Sequence, residues 1–232
     1  MKAPSFSLII PAAGVGRRMD SDIPKPYLLL KGKTVLERTL SCFRGLDSLR
    51  QVIVSTSDLY KEQTSDILNM LFDEVDTAVV DGGNRRQDSI YNAFQEVSDT
   101  IGYVAVHDAV RPFIKKSTIA DCLNRSVQCG AAIIGVPVKD TIKQVNLNGF
   151  IKSTPDRSLL WQAQTPQIFR KKLYEDAFQF AEQKDVEVTD DASLFEAFGK
   201  NVRMVEGDRE NFKLTYPIDF KIAELLVDTF KP

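Results

Sequence analysis

The chain is poor in the residues that build metal centres, disulfide frameworks and membrane spans. Among its 232 residues there is one histidine, His107, and there are three cysteines, Cys42, Cys122 and Cys129, which form no CxxC pair. The single histidine excludes a histidine-rich metal site. The odd number of cysteines, in apolar and helical surroundings, favours buried, reduced thiols. The apolar stretch after Met1 is too short for a membrane span or a signal peptide, so we expect a soluble cytoplasmic protein.

A strong excess of charge of either sign is also missing. The 30 basic and 32 acidic residues leave a formal net charge of −2, and the hydrophobic content of 43% is ordinary for a globular protein. Balanced charge argues against a protein that coats nucleic acid, because such proteins usually show a basic excess. It leaves room for a local basic pocket that binds a small anion.

Short apolar stretches typical of strands alternate with amphipathic stretches typical of helices. The strand-like stretches are 6–10, 51–56, 77–80, 103–108, 131–138 and 202–207, and helical spacing marks 34–43, 61–72, 86–97, 117–129, 190–199 and 218–230. Nearly continuous apolar strands linked by helices predict an α/β fold with a mostly parallel sheet between two helical layers. Because there is no repeat, low-complexity tract or linker, we expect a single domain over 1–232.

One segment breaks this alternation. Residues 141–154 form two short alternating stretches around Asn148-Gly149, a dipeptide suited to a type I′ hairpin turn. Because the hairpin follows a full set of strands, we expect 139–160 to project as an arm whose apolar residues are buried on a partner chain. A hairpin folded back on its own domain is the alternative.

Chemically distinctive segments follow four of the predicted strands. They are PAAGVGRRM from residue 11, DGGNRRQDS from residue 81, HDAVRP from residue 107 and VKDT from residue 138. Ligands of parallel α/β sheets bind beyond the carboxyl ends of the strands. We therefore expect these four loops to contribute to one site.

The first of these loops has features of a phosphate-binding loop. Gly14 and Gly16 let the backbone approach an anion closely, Arg18 follows them, and the prolines on both sides of Lys25 stiffen the chain around its ammonium group. A dinucleotide-binding GxGxxG loop is disfavoured because the third glycine is missing, and a Walker A loop because its GK[ST] ending is absent. A glycine turn with solvated charges is the plain alternative.

The next two loops offer groups for a nucleobase and a metal ion. Gly82 and Gly83 precede Arg86 and Ser89 at the start of a predicted helix, where backbone amides and the serine hydroxyl suit the edge of a nucleobase. The alternative is that these residues only form a turn and cap the helix. Asp108 follows another strand; near phosphates it suits Mg²⁺ or a ribose hydroxyl, and otherwise an ion pair with the arginine three residues later.

Eight sequence blocks, in order along nearly the whole chain, resemble the 2-C-methyl-D-erythritol 4-phosphate cytidylyltransferase family. They are PAAGVGRRM, PKPYL, GGNRRQDS, VHDAVRPF, VPVKDTIK, WQAQTPQIF, TDDASLFE and NFKLTYPIDFKIAE. The first block alone indicates only a nucleotidyltransferase, and the later blocks narrow the resemblance to this family. The chain departs from the family at Pro26, where glutamine is more common, and at Val110, where alanine is more common; neither change removes a reactive group.

The resemblance implies a nucleotide-diphospho-sugar transferase-like fold and a homodimer with exchanged arms. It implies a Mg²⁺-dependent reaction of CTP with a sugar-alcohol phosphate, 2-C-methyl-D-erythritol 4-phosphate, that releases pyrophosphate. The residues it implies are Arg18, Lys25, Arg157 and Lys213 in catalysis, Ala12, Ala13, Gly14, Gly16, Gly82, Gly83, Arg86 and Ser89 in nucleotide binding, and Asp108, Arg111, Thr141 and Thr189 in acceptor binding. Asp108 is also the candidate Mg²⁺ ligand, directly or through water. Thr141 and Arg157, on the arm, are expected to serve the neighbouring subunit's site.

The scarcity of general bases suits this reaction. A phosphate monoester has a second pKa of about 6, so it is largely dianionic at neutral pH and attacks without a general base. Arginine, lysine and Mg²⁺ supply the positioning and charge neutralisation that the transfer needs. The alternatives are a ribitol 5-phosphate or other polyol phosphate cytidylyltransferase, a non-catalytic nucleotide-binding protein, and a nicotinamide-dependent dehydrogenase.

Overall fold

A seven-stranded sheet forms the centre of the structure, a computed structural model that describes residues 4–14, 23–184, 186 and 188–232. The strands are β1 (Phe6–Pro11), β2 (Leu29–Leu30), β3 (Lys33–Thr34), β4 (Leu49–Thr56), β5 (Asp76–Asp81), β6 (Tyr103–Val106), β7 (Ala131–Pro137), β8 (Gln144–Val145), β9 (Ile151–Ser153), β10 (Trp161–Arg170) and β11 (Arg203–Glu206). The large sheet has the order β11-β7-β10-β6-β1-β4-β5, while β2–β3 and β8–β9 are separate two-stranded ladders. Neighbouring strands of the large sheet are parallel except where β10 pairs with β6 and β7.

Helices pack on both faces of this sheet, as predicted. They are α1 (Val35–Ser41), α2 (Lys61–Leu71), α3 (Arg86–Gln95), α4 (Lys116–Cys129), α5 (Lys171–Lys184), α6 (Asp191–Ala197) and α7 (Pro217–Val227). Buried side chains of α1, α2 and α4 share one core cluster, and those of α3, α5 and α6 share the other. A third, smaller cluster joins α7 to the segment around β2 and α1.

The strands of the sheet are apolar on both faces because each face has its own core. In β1, Leu8 and Ile10 belong to the cluster of α1, α2 and α4, whereas Ile9 between them belongs to the cluster of α3, α5 and α6. Successive side chains of a strand point to opposite faces, so a strand covered on both sides reads as a continuous apolar run. This is the physical basis of the runs from which the fold was predicted.

Two adjacent elements have no counterpart among the predicted ones. The chain returns from the arm as β10, which inserts antiparallel between β6 and β7, and continues directly into α5. In α5, Tyr174, Ala177, Phe178 and Ala181 are buried at the i, i+3, i+4, i+7 spacing of an amphipathic helix. The sequence therefore contained a signal for α5, whereas nothing local sets the position of β10 in the sheet.

The hairpin β8–β9 projects as predicted, and the described residues from 139 to 154 are all exposed. The predicted type I′ turn is wrong, because Gly149 has a φ of +81° while Asn148 does not have a positive φ. The Asn146 side chain accepts hydrogen bonds from the backbone N–H groups of Asn148 and Phe150, at 3.1 and 3.0 Å. These bonds favour a turn in which only the following glycine is left-handed.

All three cysteines are free thiols, in agreement with the prediction, but they are not all buried. Cys42 and Cys122 lie in the core, and burial raises the pKa of the Cys42 thiol to about 12. Cys129 is exposed, because it is the last residue of α4 and lies where the helix ends before Gly130.

Candidate active site

A cavity of about 510 Å³ lies at the carboxyl end of the parallel strands. Its walls come from the segments that follow β1, β5 and β6, from Lys25, and from residues 213–215 before α7. The chain runs from β1 outward to β4 and β5 on one side of the sheet, then crosses to β6 on the other side of β1. Such a reversal of strand order leaves a crevice between diverging loops, which is the usual ligand site of these sheets.

Most of the predicted site residues come together here. Those that line the cavity are Ala12, Ala13, Gly14, Lys25, Gly83, Arg86, Ser89, Asp108 and Lys213. Gly82 and Arg111 are in contact with lining residues. Among the described residues, Thr141 and Arg157 of the arm and Thr189 before α6 are not part of this lining, and the fourth predicted loop, 138–141, begins the arm instead. Gly16 and Arg18 lie outside the described residues.

The paired glycines allow the second loop to pack closely. A Cβ on Gly82 would lie 2.1 Å from the Cβ of Ala13, and one on Gly83 would lie 2.3 Å from the Cβ of Asp88. The Ser89 hydroxyl accepts a hydrogen bond from the Gly83 N–H at 2.9 Å, so it orders the loop itself. The glycines thus bring this loop against the first one, and the serine fixes its shape.

Asp108, in the cavity wall, is held by three cations. Its Oδ2 lies 3.0 Å from Nε of Arg111 and 3.1 Å from Nζ of Lys213, and its Oδ1 lies 3.5 Å from Nη2 of Arg86. Burial by itself raises the pKa of Asp108, but Lys213, Arg86 and Arg111 together hold it well below the usual range. Asp108 is therefore a carboxylate at neutral pH and cannot act as a proton donor.

His107, next to Asp108, is a structural residue. Its Nδ1 lies 3.0 Å from Oγ1 of Thr165, which accepts the Asp108 N–H, and its Nε2 lies 3.1 Å from the Arg111 carbonyl oxygen. This network fits a neutral ring that accepts from the threonine hydroxyl and donates to the carbonyl. Complete burial lowers the pKa of His107 to about 4.

The predicted strand 103–108 ends at Val106, so both His107 and Asp108 belong to the loop.

Lys25 enters the cavity from a short 3₁₀ turn, Lys25–Tyr27. The residue is buried, and its Nζ donates a hydrogen bond to the Thr215 carbonyl oxygen at 2.7 Å. This bond links the turn to the segment before α7, which also lines the cavity. The turn therefore presents a partly desolvated ammonium group to the cavity.

A second, basic cavity of about 300 Å³ shares Lys213 with the first. Arg111 and Arg209 supply further positive charge, and no acidic residue is among the described residues that line it. The Arg111 guanidinium also donates from Nη1 to the Asn211 carbonyl oxygen at 2.9 Å. Lys213, which pairs with Asp108, thus borders two cavities, one large enough for a nucleotide and one suited to a smaller anion.

The sequence of the chain matches a known family over nearly its whole length. The family model described as 2-C-methyl-D-erythritol 4-phosphate cytidylyltransferase covers residues 6–229. The chain belongs to this family. Membership confirms the resemblance found in the sequence and favours it over the polyol phosphate, non-catalytic and dehydrogenase alternatives.

Individual family members support the assignment. The chain is 43% identical over 230 residues to the 2-C-methyl-D-erythritol 4-phosphate cytidylyltransferase of Syntrophotalea carbinolica, and the match covers 97% of each protein. It is 41% identical over 222 residues to the enzyme of the same name from Symbiobacterium thermophilum, covering 96% of this chain and 92% of that one. Its fold is similar to the crystal structure of 4-diphosphocytidyl-2C-methyl-D-erythritol synthase from Anaerococcus prevotii, with a TM-score of 0.87, 28% identity and 97% coverage of both chains.

Sequence reasoning missed several residues that support the wall of this cavity. Thr165 on β10 and Asn211 before α7 hold the Asp108 loop, and Asp191 at the start of α6 pairs with Arg86. Asp191 lies within the block TDDASLFE, whose high density of acidic residues was the available signal. Its partner is 105 residues away, so the pairing could not be inferred from spacing.

Two structural findings concern metal-binding clusters and membrane-spanning helices. The described part of the chain contains no group of three or more His, Cys, Asp or Glu side chains arranged to hold a metal ion. None of the described helices is long and apolar enough to cross a membrane.

Proposed function

We propose that the protein transfers the CMP group of CTP to 2-C-methyl-D-erythritol 4-phosphate, releasing pyrophosphate and forming 4-diphosphocytidyl-2-C-methyl-D-erythritol. Membership of the family supports this reaction. The observation that carries it at the level of the site is that Lys213, paired with Asp108, borders two cavities. A reaction between a nucleoside triphosphate and a second phosphate needs two anion sites that meet at one point.

CTP would occupy the larger cavity. Among the described residues that line it, four are cationic, namely Lys25, Arg85, Arg86 and Lys213, and Asp108 is the acidic one. This excess of positive charge suits a triphosphate, and the close-packed loop after β5 suits the cytosine ring. Lys25 would stabilise the charge that develops at the α-phosphate, with Arg18 as the predicted second donor.

The acceptor phosphate would bind where Lys213 and Arg111 face the smaller cavity. At neutral pH it is largely dianionic, because its second pKa is about 6, so it attacks the α-phosphorus with its own oxygen. No side chain has to remove a proton, which agrees with His107 being buried and neutral and with Asp108 being permanently ionised. Catalysis then consists of placing two anions together and neutralising the developing charge.

Mg²⁺ fits this donor set only as an ion held chiefly by the nucleotide. Asp108 offers the one carboxylate among the described lining residues, and both of its oxygens already face cations. Mg²⁺ in phosphoryl-transfer sites commonly takes one or two carboxylates, several waters and the substrate phosphates. Asp108 would therefore hold it directly or through water, and the ion would supply neutralisation of the triphosphate charge.

We further propose a homodimer in which the arm of each subunit lies against the other subunit. More than half of the surface of each of four apolar side chains on the arm is exposed, which is unusual without a partner; they are Val145, Leu147, Phe150 and Ile151. In this arrangement Thr141 and Arg157, which are outside the cavity of their own chain, complete the acceptor site of the neighbour.

Pyrophosphate release tests the reaction directly. The protein is incubated with Mg²⁺, each of the four nucleoside triphosphates, and either 2-C-methyl-D-erythritol 4-phosphate or ribitol 5-phosphate. We expect release only with CTP and the methylerythritol phosphate. Release with ribitol 5-phosphate instead would identify a polyol phosphate cytidylyltransferase, and no release with any pair would refute the catalytic assignment.

A further inference from the structure

A chain of buried polar contacts runs from the wall of the nucleotide cavity into the helical layer behind it. Arg86, in the cavity wall, donates from Nη1 to Oδ2 of Asp191 at 2.9 Å. The other carboxylate oxygen, Oδ1, accepts the hydroxyl hydrogen of Tyr174. The chain connects α3, α6 and α5, and neither Asp191 nor Tyr174 lines the cavity among the described residues.

We propose that Asp191 and Tyr174 are positioning residues for the nucleotide, because they fix the Arg86 guanidinium and the loop 82–89 that carries it. The inference rests on the proposed function, since it states how the nucleotide side of that same site is kept in shape. It assigns a role in CTP affinity to two side chains that the substrate does not touch.

Burial makes this contact chain rigid. Asp191 is 4% exposed and Tyr174 is fully buried, so each polar group must be paired. The Tyr174 ring is packed between aromatic neighbours, with its centroid 4.8 Å from that of Phe169 and 4.6 Å from that of Phe178. The hydroxyl group therefore has a fixed position from which to hold the carboxylate, and the carboxylate in turn holds Arg86.

The backbone at Asp191 is anchored independently of these side chains. Gln167 of β10 accepts the Ala192 N–H at Oε1 and donates from Nε2 to the Asp190 carboxylate, both at 2.9 Å. Asp190 also caps α6 by accepting the Ser193 N–H. Removing the Tyr174 hydroxyl or the Asp191 charge should therefore leave α6 in place and disturb mainly Arg86.

The contacts predict that loosening Arg86 weakens the binding of the nucleotide but not the binding of the acceptor phosphate. Arg86 is the first residue of α3, between the close-packed Gly83 and the buried Ser89, so its position sets the position of the loop. Its contact with Asp108, at 3.5 Å, is longer than those of Arg111 and Lys213, which are bound to the other carboxylate oxygen. Loosening Arg86 leaves Arg111 and Lys213 to hold Asp108 on the acceptor side.

The test compares Tyr174→Phe and Asp191→Asn with Tyr91→Phe. Tyr91 lies on α3 near the same aromatic cluster, 5.2 Å from Phe178, but its ring is partly exposed and takes no part in the contact chain. The dissociation constant for CTP in Mg²⁺ buffer is measured by calorimetry, and the KM for the methylerythritol phosphate by pyrophosphate release at saturating CTP. Thermal unfolding of each variant reports its fold.

We expect Tyr174→Phe and Asp191→Asn to weaken CTP binding by about fivefold or more, which is less than the roughly tenfold effect of losing a direct hydrogen bond to a charged group. The KM for the acceptor should stay within about twofold, and Tyr91→Phe should match the parent in both measurements. Folded variants with parental CTP affinity, or with the binding of CTP and of the acceptor weakened equally, would overturn the inference.

If Asp191→Asn does not fold, the result for the nearly isosteric Tyr174→Phe variant decides between these outcomes. A parent that binds no CTP refutes the proposed function and the inference together, whereas unchanged variants of an active parent refute the inference alone.

Discussion

Each charged residue of the site has a role set by what lies beside it. Asp108 stays ionised because three cations outweigh the cost of burial, and His107 stays neutral because burial outweighs the nearby carboxylate. The same loop thus contains a permanent anion and a permanently neutral imidazole at neutral pH. Neither group can exchange a proton there, so the cations become the residues on which a reaction at this site depends.

Lys25→Ala should lower kcat by about 10²- to 10³-fold, because it removes the ammonium group that we propose as a charge-stabilising donor in the cavity wall. The expected reason is loss of stabilisation at the α-phosphate. Initial rates of pyrophosphate release at saturating substrates measure it. Lys172→Ala is the control, since Lys172 is an exposed residue of α5 paired with Glu175 and Asp176. A folded Lys25→Ala protein with parental kcat would contradict the assignment.

Lys213→Ala should instead raise the KM for the acceptor phosphate, by about tenfold or more, because Lys213 is the cation shared by the two cavities. Steady-state kinetics with the methylerythritol phosphate as the varied substrate give the value. Lys221→Ala, on an exposed position of α7, is the control. An unchanged KM for the acceptor would remove Lys213 from the acceptor site.

At the scale of elements, the arm is notable because its sequence is partly apolar and yet its side chains are exposed to solvent. Its legs are joined near the base by a hydrogen bond from the Arg157 Nη1 to the Lys139 carbonyl oxygen, at 2.7 Å, and its apolar side chains lie in solvent. A two-stranded ribbon of this size is not stable by itself in water. A partner subunit is the simplest source of the missing contacts.

Mixing two impaired variants tests whether the arm acts across subunits. Arg157→Ala and Lys213→Ala each remove one residue of the proposed acceptor site. Heterodimers would contain one site with both residues intact if Arg157 acts on the neighbour. After unfolding and refolding an equimolar mixture, about a quarter of parental activity should return, since half of the dimers are mixed and each has one restored site. Each variant refolded alone is the control. No recovery from a mixture shown to contain heterodimers would place Arg157 in the site of its own chain.

The exposed apolar residues of the arm tip allow an independent measurement. Leu147→Ser together with Phe150→Ser should weaken the dimer and lower activity at submicromolar protein concentration, because both side chains would lose buried area at the interface. Analytical ultracentrifugation of parent and variant gives the association state. Leu59→Ser, at an 82% exposed leucine outside the arm, is the control. A fully active parent that sediments as a monomer at micromolar concentration would disprove the shared site.

At the scale of the whole molecule, His107 couples folding to pH. Its pKa is about 4 in the folded protein and 6.5 when unperturbed, so between these values the unfolded chain binds more protons. The free energy of unfolding that depends on the neutral His107 ring is therefore fully present above pH 6.5, and it is lost as the pH falls towards 4. The expected loss between pH 7 and pH 4.5 is about 2 kcal/mol of unfolding free energy.

Urea unfolding at several pH values between 7 and 4.5 measures this loss. His107→Asn removes the titrating ring, so its stability should depend less steeply on pH than that of the parent by about the same amount. The comparison uses the difference in slope, so a constant destabilisation of the variant does not affect it. Equal slopes would show that His107 does not carry the pH dependence.

The sequence by itself determined the two core layers, the loops at the carboxyl ends of the strands, and the family. These features depend on local information: side-chain period, glycine and proline positions, and the order of the blocks. The boundary at Val106, the turn around Asn146 and the exposure of Cys129 differ from prediction because hydrogen bonds and helix ends shift such features by a few residues.

Only the tertiary structure decided how distant segments meet. The insertion of β10 between β6 and β7 brings Thr165 to the His107–Asp108 loop, and the packing of α5 and α6 behind the sheet brings Asp191 to Arg86. No local pattern encodes these pairs, because strand order and helix packing result from burying two apolar faces of the sheet at once. The reactive groups were therefore readable from the sequence, while the contacts that hold them in position exist only in the folded chain.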